Sequence, residues 1–116
     1  MAKILIIAGI KSVPSVATQI AEFSASKDME IVDLWAAQWD NSGHKPATSG
    51  QSTIAIYEVV GETRADILKP VNVFALMQLN NPLKIEHNPE PGNKILVEGQ
   101  SVANEHIAYV LRIATP

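Results

Sequence analysis

The hydrophobic pattern of the first 34 residues predicts a strand, a helix and a second strand. Residues 3–8 are apolar at nearly every position, as in strands buried on both faces, and Gly9 ends the run. The segment from Ser12 to Phe23 opens with a serine cap and a proline, then places apolar residues at helical spacing. Residues 29–34 form a second apolar run. Such a unit pairs its strands in parallel or leaves room for a third strand between them.

The second half of the chain is predicted to be richer in strands. Strands are expected over 53–60, 71–79, 83–87 and 94–98, with a short helical segment over 62–69. Residues 71–87 would form a hairpin whose second strand lies at a sheet edge, since Pro82 forbids a ladder hydrogen bond. The segment 101–114 fits a helix or a strand, and its β-branched and aromatic content favours a strand over 106–113.

These elements predict a single α+β domain over residues 1–116. A βαβ unit (1–34) would pack on a mixed sheet, which antiparallel strands of the second half (53–116) complete. Residues 41–52 are rich in Gly, Ser, Thr and Asn and are expected to form a loop, long enough to be functional or ordered by a partner.

Composition argues against several classes of function. The chain is 47% hydrophobic but only 18% charged, below the usual quarter or so, and its net charge is −3. Nine Lys and Arg residues are spread singly, so no nucleic-acid partner is expected. Cysteine is absent, which excludes disulfides and thiolate chemistry. No apolar run approaches the roughly 18 residues of a membrane span, and no signal peptide is recognised. We therefore expect no membrane partner, and a location in the cytoplasm or in a particle assembled inside a host cell.

The loop after the first predicted strand is a candidate ligand site. Backbone N–H groups and a helix N-terminus favour an anion there, and Gly9, Lys11, Ser12 and Ser15 could contribute. Residues 1–34 resemble the first βαβ unit of flavodoxin-like proteins, in which a hydroxyl-rich loop holds a flavin phosphate. This loop has one glycine and lacks the run of hydroxyls. The alternative function is therefore a small-ligand module for a nucleotide or another phosphate compound, and the simpler interpretation is an ordinary capped helix.

No catalytic or metal-binding set is predicted. His44, His87 and His106 do not have the spacing that places two ligands on one helix face, and no serine lies in a nucleophile motif. A small hydrolase or lyase that uses His44 or His106 with a carboxylate stays open only because sequence spacing says little about distance in the fold. No cofactor is expected.

Large aromatic side chains beside the polar loop are the strongest functional signal. Trp35 and Trp39 are four residues apart, so a turn of helix would bring them to one side, and Tyr57 follows the loop. Aromatic side chains of this kind anchor interfaces, although the simpler interpretation is that they close one end of the core. The sequence thus predicts a non-enzymatic assembly protein and a homo-oligomer: a small accessory component of a phage or viral particle, or an inhibitor of another protein.

Overall fold

Two antiparallel sheets make up the protein. The computed structural model describes residues 3–40 and 52–116. Within them the chain forms eight strands and one short helix: β1 (Lys3–Ser12), β2 (Thr18–Ser24), β3 (Glu30–Trp39), β4 (Ser52–Val60), β5 (Thr63–Asn72), α1 (Val73–Met77), β6 (Leu83–His87), β7 (Lys94–Ser101) and β8 (His106–Thr115).

The order of the strands is that of a jelly roll. Sheet A has the order β1-β8-β3-β6 and sheet B the order β2-β7-β4-β5, so that the chain passes from one sheet to the other at most of its connections. Both sheets are antiparallel throughout the described residues. The predicted α+β class is therefore wrong, because the fold is nearly all β.

The predicted βαβ unit does not exist, since its helix is strand β2 of the other sheet. A β-bulge between Gln19 and Ala21 inserts one extra residue opposite β7. The bulge shifts the in–out alternation, so that Ile20 and Phe23 both pack on the core three positions apart, as they would in a helix. Strands β1 and β3 do run parallel with a third strand, β8, between them, but the crossover that joins them is a strand.

Two predictions over residues 62–79 are also wrong. Residues 63–72 form β5 rather than a helical segment, and its edge position tolerates Pro70. Residues 73–77 form α1 rather than a strand: the Asn72 side chain accepts a hydrogen bond from the Ala75 N–H and caps the helix. The predicted 71–87 hairpin is lost with this strand, and β6 instead pairs with β3 at the edge of sheet A.

The remaining strand predictions are confirmed. Of the predicted strand over 29–34, residues 30–34 lie in a strand. The predicted strands over 53–60, 83–87, 94–98 and 106–113 are present in full. Residues 41–51 of the predicted polar loop lie outside the described residues, and Ser52 begins β4.

One core lies between the inner faces of the two sheets. Its largest fully buried apolar side chains come from both sheets: Ile31, Leu34, Ile54, Ile56, Ile95, Ile107, Leu111 and Ile113. Helix α1 adds Val73 and Leu76 to this cluster and closes one end of it. Across residues 3–40 and 52–116, no helix has the length and hydrophobicity to cross a membrane.

Candidate interaction surface

The outer face of sheet A is largely apolar, although it points away from the core. Residues paired across an antiparallel sheet lie on the same face, and alternate residues of a strand lie on opposite faces. The register of β1, β8 and β3 therefore defines the outward side chains. The same register places Glu30, Ser12 and His106 on this side, at the ends of the strands. We call the remaining outward residues the apolar face: Ile4, Ile6, Ala8 and Ile10 of β1, Ala108, Val110, Arg112 and Ala114 of β8, and Asp33, Trp35, Ala37 and Trp39 of β3.

Several large members of the apolar face are exposed to solvent. Ile6 is 61% exposed, Ile10 51% and Trp35 42%, whereas side chains of this size are usually withdrawn from water. Pairing places Ala8, Val110 and Trp35 side by side across three strands. The exposed apolar side chains of this face are thus contiguous, a pattern that recurs at interaction sites, whereas others such as Val16 and Val102 lie elsewhere on the surface.

The outer face of sheet B is polar by contrast. Arg64 forms an ion pair with Glu98 at 2.6 Å, and Lys94 pairs with Glu22 at 3.0 Å. The Arg64 guanidinium also stacks over the Tyr57 ring, 4.0 Å from its centroid. The two outer faces of the sandwich therefore differ in chemistry, and sheet A carries the hydrophobic one.

One ion pair is set into the apolar face. Arg112 Nε donates to Asp33 Oδ1 at 2.7 Å, and its Nη2 also contacts the second carboxylate oxygen. The Asp33 side chain is only 9% exposed, whereas that of Arg112 is about half exposed. The surrounding sheet therefore largely buries the Asp33 carboxylate, and the Arg112 guanidinium balances its charge.

Strand β1 is a long edge of sheet A, with no second neighbour among the described strands. Its ten residues pair with β8 in one unbroken register, without a bulge or proline. The other three edge strands carry features that commonly prevent pairing with a further strand. Strand β6 is short and carries Lys84 and Glu86, β2 is bulged, and β5 contains Pro70 and two bulges. Among the described strands, β1 is the edge best suited to pairing with another strand.

The predicted interface residues do not form one surface. Trp35 and Trp39 lie on β3 rather than on a helix, but their spacing of four still places both on the apolar face. Tyr57 lies on the opposite side of the molecule, on the polar face of sheet B under Arg64. The two tryptophans therefore share a surface that Tyr57 does not.

The predicted ligand residues lie along and just after an edge strand. Gly9, Lys11 and Ser12 belong to β1, and Ser15 follows it in the turn toward β2, where its carbonyl accepts a hydrogen bond from Gln100. Because β2 replaces the expected helix, no helix within residues 3–40 and 52–116 begins beside these residues. The ligand-binding alternative stays a prediction, without the helix dipole that motivated it.

A buried polar cluster ties the loops at one end of the sandwich. Ser52 Oγ donates to Glu105 Oε1 at 2.9 Å, and the Glu105 N–H donates to Ser101 Oγ at 3.1 Å. The Glu105 carbonyl accepts the Val13 N–H, so the β1–β2 and β7–β8 connections are fastened together. All three polar side chains are buried. These hydrogen bonds join the loops, and this structural role accounts for the burial of the three polar side chains.

A second cluster at the opposite end is centred on Glu58. Its carboxylate accepts hydrogen bonds from Asn93 Nδ2 at 2.7 Å and the Glu90 N–H at 2.9 Å, and lies 2.8 Å from His87 Nε2. Burial by itself would raise the pKa of Glu58, but the hydrogen bonds from Asn93, His87 and Glu90 together lower the pKa below its usual value. The cluster fastens β4 to the β6–β7 connection.

Sequence reasoning missed the exposure of β1. The run Ile4, Leu5, Ile6 was expected to be buried on both faces, yet all three are about half exposed. The lysines at its two ends, Lys3 and Lys11, were the available signal, because edge strands commonly carry lysine. Within residues 3–40 and 52–116 there is no cavity of ligand size and no grouping of three potential metal ligands.

Comparison with protein families, with curated proteins and with solved structures finds no match to this chain. The chain's own surface is therefore the basis for inferring what it does.

Proposed function

We propose that this protein is a non-enzymatic assembly component that self-associates through the apolar face. The observation that carries the proposal is the contiguous exposure of Ile6, Ile10 and Trp35 on one side of the sandwich, opposite a polar side. Burial of such side chains contributes about 1.5–3 kcal/mol each, and association supplies that burial where the fold does not. Packing the apolar face of one copy against that of another removes Ile6, Ile10 and Trp35 of both copies from water.

The fold is compatible with a role as a small accessory component of a larger particle, such as a phage or viral structure. Jelly rolls serve as capsid domains, but also as lectins and cupins, so the architecture supports this role by analogy alone. The physical support is the apolar face, since a subunit of a particle buries its apolar sides against neighbouring subunits.

Light scattering during gel filtration tests the proposal. At micromolar concentration the wild-type chain should have a mass well above that of a monomer. Trp35→Gln removes an aromatic anchor from the apolar face and should weaken association at least ten-fold, as loss of an interface hot spot does. Tyr57→Gln is the matched control on the polar face and should leave the mass unchanged. A wild-type chain that stays monomeric up to the highest soluble concentration would refute the proposal.

A further inference from the structure

We infer that the open edge of β1 pairs with β1 of a second copy, antiparallel across a two-fold axis that passes beside Ala8. This inference rests on the proposed function and adds the geometry of one contact between the copies. The contact joins two sheets A into one continuous eight-stranded sheet and extends the apolar face of one copy into that of the next.

An antiparallel edge is complementary to itself. Each unpaired N–H and C=O of β1 finds its partner on the same strand of a copy rotated by 180° about an axis perpendicular to the sheet. This rotation also keeps the outward side chains of both copies on the same side of the joined sheet. A second copy therefore satisfies the open edge without a foreign strand.

The charges of β1 select the register. If the axis passed beside Ile7, Lys3 of one copy would lie directly opposite Lys11 of the other, and like charges facing each other across a sheet are destabilising. An axis beside Ile6 or Gly9 avoids that contact but pairs only seven residues of the strand. An axis beside Ala8 pairs residues 4–12 of both copies and leaves each Lys11 opposite Leu5.

The same register matches side chains by size. On the outer face, Ile6 of each copy lies opposite Ile10 of the other, and the small Ala8 meets itself at the axis. β-Branched pairs of this kind stabilise adjacent strands. Two Ile6–Ile10 contacts thus flank the axis, where both side chains are now about half exposed or more.

Cysteine substitution tests the register directly, because the chain contains no cysteine. Ala8→Cys places two thiols opposite each other at the axis, so mild oxidation should convert most of the protein to a disulfide-linked dimer on a non-reducing denaturing gel. Ile6→Cys is the matched control on the same face. Its two copies would be four residues apart along the strands, roughly 13 Å, too far for a disulfide, so little crosslinked dimer should form.

A charge exchange at the same position provides a second readout. Ala8→Lys and Ala8→Glu should each weaken dimerisation by about five-fold or more when measured alone, and an equimolar mixture should restore it, because opposite charges then face each other. Circular dichroism establishes that each variant is folded.

The outcomes separate the two proposals. Equal crosslinking by Ile6→Cys and Ala8→Cys, or none by either while the wild-type chain is oligomeric, overturns the β1 register and leaves the apolar-face proposal standing. The inference is also overturned if Trp35→Gln lowers the mass of the oligomer but Ala8→Cys forms no crosslinked dimer. In that case β1 does not pair with β1 of a second copy. A monomeric wild-type chain without crosslinking overturns both proposals.

Discussion

Gly9 lies opposite Tyr109 in the β1–β8 ladder, and the Tyr109 ring fills the space left by the missing side chain. A Cβ atom on Gly9 would lie 2.9 Å from Tyr109 Oη, closer than such contacts occur. The hydroxyl donates to the Ile20 carbonyl at 3.1 Å, so the ring links sheet A to β2 of sheet B. Glycine at this position therefore allows the two sheets to be joined beside the open edge.

Gly9→Ala should reduce the free energy of unfolding by about 1–3 kcal/mol, because the added methyl group displaces the Tyr109 ring. Tyr109→Phe removes the oxygen that the methyl group meets, so Gly9→Ala should cost less in the Tyr109→Phe background. Urea denaturation of the four proteins in this double-mutant cycle measures the coupling. Simple additivity of the two substitutions would contradict the contact.

Arg112→Met should reduce the free energy of unfolding by about 1.5–3 kcal/mol, because it leaves the Asp33 carboxylate nearly buried without its charged donor. Adding Asp33→Asn should recover part of the loss, since the remaining amide is neutral. The matched control is Lys94→Met, which breaks the more exposed pair with Glu22 and should leave the free energy of unfolding almost unchanged. Equal losses from the two substitutions in chemical denaturation would show that Asp33 does not depend on Arg112.

Acid should destabilise the protein in part through Glu58. Because hydrogen bonds lower the pKa of Glu58 in the folded state below its ordinary value of 4.5, its carboxylate stabilises the fold above that pH. This contribution is lost as the pH falls through the lowered folded-state pKa. Glu58→Gln should therefore have a lower melting temperature than the wild-type chain at pH 7 and a smaller decrease between pH 5 and pH 3.

Glu22→Gln is the control for that experiment. The pKa of Glu22 is also lowered, first by a hydrogen bond with Lys94 and then by one with Gln19, but the group lies on the surface, where solvent screens it. Its melting curves should follow those of the wild-type chain across the same pH range. A pH profile of Glu58→Gln parallel to that of the wild-type chain would show that the Glu58 cluster does not contribute to acid sensitivity.

Strands made of β-branched runs between turn residues could be predicted from the sequence. The segment from Thr53 to Val60 is such a run, and it forms a strand that is paired on both sides. Asn72 precedes an apolar run and caps α1, but the alternation of that run predicts a strand there.

The errors arose where long-range pairing changes a local pattern. The β2 bulge produces helical spacing between Ile20 and Phe23, and only the register with β7 reveals it. The exposure of β1 is likewise a property of its position in sheet A, since Ile4 to Ala8 would read the same in a strand covered on both sides. The two tryptophans were identified as surface anchors, but their separation from Tyr57 required the fold.

The pairing of β1 with β8 has a consequence for biosynthesis. Because these strands are separated by nearly the whole described chain, β1 is translated long before the strand with which it pairs. During that interval its isoleucines and its backbone are unprotected on both sides. We expect nascent chains of this protein to depend on ribosome-associated chaperones, and expression to improve when translation of the later strands is fast.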